Sequence, residues 1–409
     1  MRVLLVHEYY RERGGEDVAF ETDARLLRDA GHDVSTLVFN NDEIGDRLSL
    51  RDRAGLFATT VWSRSAAERV VGAIREHRPD VVHFHNTFPL ISPSAFKAAH
   101  DAGVPVVATL HNYRLLCANA ELFREGRVCE DCVGKRLPLA AVSHACYRHS
   151  KAQSAAVASM LMFNRLRGSW TRYVDCLLTP SAFLRDKLVQ GGLPAAKIVV
   201  RSNAVEAPAY NAGNHARAGF LYVGRLAANK GIDSLLRAWL DNGDLPLLRI
   251  AGAGELESDV RAATNLAPGR IEYLGALSRD EVFEAMRGAK ALVFPSVWYE
   301  TQGLTILEAF ASATPVIASS IGAVPEAVVD GDTGLLFTPG DASDVAAKVR
   351  WAAGQPQAMQ AMGENALMAF RERYAPEQSI VRLEAEYERL AGQATVNAAA
   401  GPLSGMVAS

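Results

Sequence analysis

Two runs of alternating strand-like and helix-like segments constrain the fold of this chain more than any other feature. In the first run, apolar segments such as 3–6 and 104–110 are separated by amphipathic helical segments. The alternation restarts at 220–223 and continues through 291–294 and 334–337. Fully apolar strands joined by helices are typical of a parallel sheet covered on both faces. The sequence therefore predicts an α/β protein with two Rossmann-like, doubly wound domains and a ligand cleft between them.

A stretch without periodicity separates the two runs. Residues 203–218 are rich in Ala, Asn, Gly and Pro, a composition that indicates a linker. Residues 112–150 interrupt the first run and hold most of the cysteines, so we interpret them as an insertion. The predicted units are, in chain order, a domain at 1–205 that contains the insertion 112–150, a domain at 216–375, a helix at 376–391 and a disordered tail at 392–409.

Composition excludes some classes of function. With 409 residues, 49% hydrophobic and 22% charged, the chain has the composition of a globular protein with a sizeable core. Its net charge of −3 argues against a dedicated nucleic-acid binder. We find neither a signal-peptide pattern nor an apolar run long enough to span a membrane, and we expect a cytoplasmic protein.

The segment from Phe294 to Ala311 combines two kinds of ligand-binding group. It predicts a strand end, a loop with Glu300 and Gly303, and a helix that begins at Leu304 and carries Glu308. Carboxylates accept hydrogen bonds from sugar hydroxyls, and a helix N-terminus beside a glycine binds phosphate. A nucleotide sugar carries both groups. The alternative is that the two glutamates are surface acids of an ordinary strand–loop–helix unit.

Two cations open the second run. Arg225 follows a strand directly, and Lys230 lies five positions later at a predicted helix start. Two cations on one loop can neutralise a leaving diphosphate without a metal; the alternative is a pair of solvated basic side chains. Gly14 and Gly15 lie in the corresponding loop of the first run, where a backbone without side chains can approach phosphates.

Taken together, these motifs resemble the large retaining glycosyltransferase family 4. The resemblance covers about residues 1–390 and implies the GT-B fold, with an acceptor-side domain first, a nucleotide-sugar-binding domain second, and the last helix crossing back onto the first domain. The segments that carry it are Gly14-Gly15, Ser202-Asn203, Gly224-Arg225-Leu226, Lys230-Gly231, Glu300 to Glu308 around Gly303, and Thr314-Pro315-Val316-Ile317-Ala318.

The resemblance also implies roles for individual residues. Glu308 would accept hydrogen bonds from the ribose hydroxyls. Glu300 would hold the hydroxyls of the donor sugar, together with the backbone near Gly303 and Leu304. The diphosphate would be held by Arg225 and Lys230, next to the backbone of Gly14 and Gly15. His111 would lie beside the donor sugar as a catalytic-site residue together with Glu300; its alternative is an ordinary loop histidine.

The mechanism that the resemblance implies retains the anomeric configuration without a protein nucleophile or a catalytic metal. Asp330-Gly331-Asp332 spells a metal-binding Asp-x-Asp, but its glycine and the following Thr-Gly favour a turn. Two departures from the family pattern, Thr301-Gln302 before Gly303 and Glu16-Asp17 after the glycine pair, leave the identity of the sugar open.

The cysteines predict a second, structural hypothesis. Cys129 and Cys132 have the spacing of half a zinc site, and Cys117 and Cys146 could complete a structural zinc centre in the insertion. The alternative is free thiols or occasional redox pairing among them. Cys176 lies in an apolar strand and is interpreted as core.

The sequence thus favours a hexosyltransferase of polysaccharide or glycoconjugate biosynthesis that uses a nucleotide-diphosphate sugar and a glycan or lipid-linked acceptor. A basic helix at 150–173 allows peripheral contact with the inner face of a membrane, although a helix facing the core is the more common case. Competing hypotheses are a nucleotide-sugar epimerase and a non-catalytic sugar-nucleotide binding protein. A dehydrogenase using Gly252-Ala253-Gly254 is disfavoured because Glu257 occupies the place of the third glycine.

Overall fold

A computed structural model describes residues 1–10, 14–43, 50–208 and 217–399. It contains two six-stranded sheets and one short hairpin. The strands of the first half are β1 Arg2–Tyr9, β2 Asp33–Asn40, β3 Val81–Phe84, β4 Val106–Thr109, β5 Phe123–Arg124, β6 Arg127–Val128, β7 Cys176–Thr179 and β8 Ile198–Val200. Its helices are α1 Gly15–Asp29, α2 Leu50–Val61, α3 Arg64–His77, α4 Ser94–Asp101, α5 Leu139–Ser143, α6 Lys151–Arg167, α7 Ser169–Arg172 and α8 Ala182–Gln190.

The second half repeats this alternation. Its strands are β9 Phe220–Val223, β10 Leu248–Ala251, β11 Ile271–Gly275, β12 Ala291–Phe294, β13 Val316–Ser319 and β14 Gly334–Phe337. Its helices are α9 Ile232–Leu240, α10 Glu257–Leu266, α11 Arg279–Gly288, α12 Leu304–Ala311, α13 Val324–Ala327, α14 Ala342–Gly354, α15 Pro356–Arg373 and α16 Pro376–Ala399.

Both large sheets are parallel, with the orders β2-β1-β3-β4-β7-β8 and β11-β10-β9-β12-β13-β14. Every residue of β3, β4, β7, β12 and β13 is buried, because helices cover both faces of each sheet. The predicted α/β fold with two doubly wound domains is confirmed. The strand order reverses between β1 and β3 and between β9 and β12, so a ligand crevice is expected at the carboxyl ends of these strands.

Two elements differ from the sequence prediction. The helix predicted at 150–173 is divided into α6 and α7, because Gly168 adopts a left-handed conformation (φ 63°) and ends α6. The part of the predicted disordered tail from residue 392 to 399 is helical in the structure, since α16 continues to Ala399. Residues 400–409 lie outside the described part of the chain.

Helix α16 crosses back to the first domain. Leu383, Tyr387 and Leu390 lie on one side of the helix at i, i+4 and i+7, and all three are buried. They pack into a core cluster with Val3 and Leu5 of β1 and with residues of α1 and β7. The C-terminal segment therefore completes one face of the N-terminal sheet.

Candidate active site

Lys230 and Glu300 meet where the strand order of the second sheet reverses. Lys230 follows β9 and Glu300 follows β12, and Lys230 Nζ donates to Glu300 Oε1 at 2.6 Å. Trp298 Nε1 donates to the same oxygen at 2.7 Å, and Ser296 Oγ donates to it as well. The Glu300 side chain is buried, and all three of these donors bind the same oxygen, Oε1. Its carboxylate is therefore held rigidly at the cleft.

Close backbone packing keeps the two loops together. Val297 N donates to the Asn229 carbonyl oxygen at 3.0 Å. Gly231 has φ 73°, and a Cβ added there would lie 1.8 Å from the Pro295 carbonyl oxygen. Since only glycine tolerates both the conformation and this approach, Gly231 fixes Lys230 beside the loop of Glu300.

Helix α12 begins where the sequence predicts it. Gly303 precedes it in a left-handed conformation (φ 82°), and the helix runs from Leu304. Glu308 lies one turn inside the helix and is half-buried. Burial raises the pKa of Glu308 to about 7, an effect that the positive charge of Arg279 opposes. This carboxyl group therefore titrates near neutral pH.

Arg225 lies on the same side of the cleft but makes a different contact. Its side chain is 56% exposed, and its Nη2 lies 4.0 Å from Oε1 of Glu121. Asn229 Nδ2 donates to the same Glu121 oxygen at 3.4 Å. Because Glu121 belongs to the insertion of the first domain, its carboxylate reaches across the cleft to the cationic loop.

The glycine pair of the first domain is held by the buried Asp17 carboxylate, which also contacts His7. Asp17 Oδ2 accepts from the backbone N–H of Gly14 at 2.9 Å, and its Oδ1 lies 2.8 Å from Nε2 of His7. Both side chains are fully buried. Across the cleft, a Cβ built on Gly15 would lie 3.2 Å from Cδ1 of Leu304. The glycine loop therefore faces the start of α12.

His111 follows β4 and faces the same loop of the second domain. Thr301 Oγ1 donates to the His111 carbonyl oxygen at 3.1 Å. The imidazole is half-buried, and burial lowers its pKa to about 3. The ring is therefore neutral at physiological pH and carries a single N–H.

A third contact between the domains lies beside the cleft. Glu326, at the start of α13, accepts from the backbone N–H groups of Ala182 at 2.9 Å and Phe183 at 2.5 Å. These N–H groups belong to the first turn of α8, where a carboxylate is stabilised by the helix dipole. These hydrogen bonds therefore join α8 of the first domain to α13 of the second domain beside the cleft.

The predicted zinc centre is not assembled. In the ranges that the structure describes, one group of at least three His, Cys, Asp or Glu ligand atoms lies mutually within 4.8 Å, and it contains no cysteine. Cys117 Sγ donates to Asn119 Oδ1 at 2.8 Å, and burial raises the pKa of the Cys132 thiol to about 11. These four cysteines are free thiols in the structure.

The group within 4.8 Å consists of Asp23, His83 and His85, all buried. Other side chains already occupy most of these ligand atoms. Arg201 donates to both Asp23 oxygens at 2.6 Å, while the nitrogens of His83 contact Tyr387 Oη at 2.6 Å and Thr109 Oγ1 at 2.7 Å. The donor set therefore fits a hydrogen-bond network rather than a cation. The Asp-x-Asp at 330–332 forms a turn in which the Gly331 N–H donates to the Gly334 carbonyl oxygen.

The structure brings most predicted site residues to one cleft. Lys230 and Glu300 are in direct contact, Gly15 lies against Leu304, and the His111 backbone contacts the loop of Glu300. Residues that the sequence did not single out for the site are Asp17, Glu121, Ser296, Trp298 and Glu326. Ser296 and Trp298 lie within the predicted loop, four and two positions before Glu300. This closeness in sequence is the signal that could have identified them as partners of Glu300.

Two family profiles match this chain, one in each half. The profile described as "Glycosyl transferase 4-like domain" matches residues 14–204, and that described as "Glycosyl transferases group 1" matches residues 210–368. The glycogen synthase of Mycobacterium tuberculosis strain H37Rv is 30% identical over 351 residues, which cover 81% of this chain and 72% of that protein. The sulfoquinovosyl transferase of Arabidopsis thaliana is 31% identical over 198 residues, covering 44% and 38%.

Solved structures show the same arrangement of domains. The Anabaena HepE protein in complex with UDP-glucose has a TM-score of 0.67 at 17% identity, covering 95% of this chain and 100% of that chain. The sucrose-phosphate synthase of Thermosynechococcus elongatus has a TM-score of 0.70 at 17% identity, covering 95% and 98%. The fold and site define a glycosyltransferase of the GT-B class. This chain belongs to glycosyltransferase family 4. Among its described helices, none has the length and apolar character needed to cross a membrane.

Proposed function

We propose that this enzyme is a retaining hexosyltransferase that moves a sugar from a nucleotide-diphosphate donor to a hydroxyl group of a glycan or lipid-linked acceptor. The observation that carries the proposal is the Lys230–Glu300 pair at the reversal of the second sheet, opposite His111. The Anabaena neighbour, whose structures contain UDP and UDP-glucose, supports a nucleotide-sugar donor.

In the proposed reaction the acceptor oxygen bonds to the anomeric carbon as the bond from that carbon to the donor phosphate breaks. The acceptor proton passes to the departing phosphate oxygen, so the products are a glycoside and a nucleoside diphosphate. Arg225 and Lys230 stabilise the negative charge that develops on the leaving group. Glu300 orients the hydroxyls of the donor sugar, and the ionised Glu308 accepts the ribose hydroxyls.

A panel of nucleotide sugars tests the proposal. A ligand at 100 times its dissociation constant adds about 2.7 kcal/mol to the free energy of unfolding, so the cognate donor is expected to raise the Tm above that of its competitors. Product NMR then reports the anomeric configuration. An inverted product would contradict the retaining mechanism, and conversion of the donor sugar without any acceptor would identify an epimerase.

We also propose that the acceptor is presented at an anionic lipid surface. Residues 133–174 contain seven Lys or Arg and no Asp or Glu, although the whole chain has a net charge of −3. The apolar side of α6, including Val157 and Leu161, is buried in the core, so it is not the contact surface. Leu137 and Leu139 are instead exposed beside Lys135 and Arg136.

Co-sedimentation with vesicles of phosphatidylglycerol and phosphatidylcholine tests this surface. Replacing Lys135 and Arg136 by Ala removes two cations worth about 1 kcal/mol each at such a surface, which predicts about thirtyfold weaker binding. The control replaces the exposed Arg237 and Arg261 of the second domain and should leave binding unchanged. Equal binding of the chain to vesicles of phosphatidylcholine alone would contradict the proposal.

A further inference from the structure

A line of buried histidines lies behind His111. His85 follows β3, the strand next to β4, and its Nδ1 lies 3.2 Å from Nε2 of His111. The two rings are nearly parallel, with an interplanar angle of 17°. One of these nitrogens must carry the shared proton and the other must accept it. The direction of this bond decides which nitrogen of His111 remains for a ligand.

The carboxylate of Asp23 determines that direction. Nε2 of His85 lies 3.7 Å from Oδ2 of Asp23 and has no hydrogen-bond partner within the described chain. Arg201 donates to both oxygens of Asp23, so this carboxylate is ionised and can only accept. A distance of 3.7 Å is too long for a good hydrogen bond. Nevertheless, an N–H directed at the anion is attracted to it, whereas a nitrogen lone pair in the same place would be repelled.

The charge state of His85 leaves only one possible direction for its hydrogen bond with His111. Burial first, and then His83, His111, His7 and Arg201, hold the pKa of His85 well below its usual range. His85 is therefore neutral and has a single N–H, which Asp23 attracts to Nε2. Its Nδ1 is then a bare acceptor, and the bond to His111 must come from the Nε2–H of His111.

We propose that Asp23 and His85 hold His111 in its Nε2–H tautomer, so that Nδ1 of His111 is a hydrogen-bond acceptor available to a substrate. His85 is a positioning residue, since it acts through His111 and is itself buried. A neutral ring with a bare Nδ1 accepts from a sugar hydroxyl and repels a phosphate oxygen. The tautomer needs no substrate; its use on a sugar hydroxyl rests on the proposed function.

Histidine NMR of the intact ligand-free protein tests the tautomer directly. Long-range proton–nitrogen correlation of ¹⁵N-histidine-labelled protein distinguishes protonated from bare ring nitrogens, and His111→Gln identifies the His111 signals among the 10 histidines. We expect a protonated Nε2 and a bare Nδ1 at His111. A protonated Nδ1 in the wild-type protein would overturn the proposal.

Two variants separate positioning from folding. His85→Asn places an amide oxygen where Nδ1 lies and should keep the Nε2–H tautomer of His111. His85→Leu removes the acceptor and should give a mixture of tautomers. An unchanged His111 tautomer in a folded His85→Leu protein would overturn the role of His85.

The same variants separate this proposal from the proposed function. Because the NMR measurement needs no substrate, it stands if the protein transfers no sugar. With UDP-glucose as the probe, bound wild-type protein should show the Nδ1 signal of His111 shifted toward that of a hydrogen-bonded acceptor. No shift on saturation would overturn the proposed availability of Nδ1 to this sugar without changing the tautomer.

Discussion

Lys230 and Glu300 are 70 positions apart in the chain but share one hydrogen bond at the cleft. The sequence predicts both as donor-binding residues, because each follows an apolar strand at a loop with a glycine. Their direct contact was not predictable from local pattern, since it requires β9 and β12 to be neighbours in the sheet. The low pKa of His111 was not predictable for the same reason, because burial in the folded protein causes it.

Replacement of Lys230 by Ala should weaken donor binding. A hydrogen bond to a charged group is worth about 1.5–3 kcal/mol, which corresponds to about a 10- to 150-fold loss of affinity. The change also leaves Glu300 buried without its counter-ion, so the Tm should fall. Calorimetric titration with the cognate nucleotide sugar measures the loss, and Lys97→Ala, at an exposed helix pair, is the control. An unchanged affinity would remove Lys230 from the donor site.

Glu308 should make stability and donor binding depend on pH. Its folded pKa of about 7 lies above the ordinary value of 4.5, so the folded state binds a proton that the unfolded chain has already lost. The free energy of unfolding therefore falls as pH rises from about 4.5 to 7, by at most about 3 kcal/mol. Glu308→Gln should raise the Tm at pH 8 and reduce this slope.

Donor affinity should have the opposite pH dependence, because the ionised carboxylate is the better acceptor for two ribose hydroxyls. We expect wild-type affinity for the donor to increase between pH 6 and 8 and the Glu308→Gln affinity to be lower and flatter. Part of the stability slope will remain in that variant, since burial also raises the pKa of Glu16 to about 7. Identical melting profiles for wild type and variant would refute the assignment.

At the scale of elements, the strands were the most predictable feature. Runs such as Ala291–Phe294 are apolar throughout, and burial on both faces leaves little choice of structure. The insertion was less predictable, because its hairpin and short helix carry no long periodic pattern. The break at Gly168 depends on one left-handed backbone conformation, which the sequence pattern of the helix does not reveal.

The insertion places a competing carboxylate, that of Glu121, at the cationic loop. A diphosphate that binds Arg225 must displace Glu121, so Glu121→Gln should tighten the binding of UDP. An ion pair at a partly exposed site is worth about 0.2–1 kcal/mol, which predicts at most about a fivefold lower Kd. Glu125→Gln, at an exposed position in the hairpin that follows Glu121, is the matched control. Weaker UDP binding by Glu121→Gln would instead make Glu121 a part of the binding site.

At the scale of the whole molecule, the two sheets are joined by the linker and also by α16. Arg201, which follows β8 and precedes the linker, pairs with Asp23 of α1 and donates through Nε to the Ser379 carbonyl oxygen of α16 at 3.3 Å. Ser379 Oγ donates to the Ser202 carbonyl oxygen at 3.2 Å. These contacts therefore tie the segment just before the linker to α1 and to α16.

Truncation of a buried side chain in α16 should destabilise the first domain. Leu383 is fully buried against the N-terminal sheet, and Leu383→Ala is expected to cost about 2–5 kcal/mol. Hydrogen exchange should show the loss of protection in β1, far away in sequence. Val381→Ala, at an exposed position of the same helix, should change stability by less than about 0.5 kcal/mol. Protection in β1 that survives Leu383→Ala would show that α16 does not support this sheet.

The position of α16 has a consequence for biosynthesis. Domains generally fold in order as they leave the ribosome, but the first sheet here lacks the part of its cover that α16 supplies until Leu383 and Leu390 have been made. At about 5–20 residues per second, roughly 10–40 s separate the synthesis of residue 200 from that of residue 390. During this interval the apolar side chains of Val3 and Leu5 have no partner from α16. The nascent first domain therefore exposes these apolar side chains to solvent until α16 has been made.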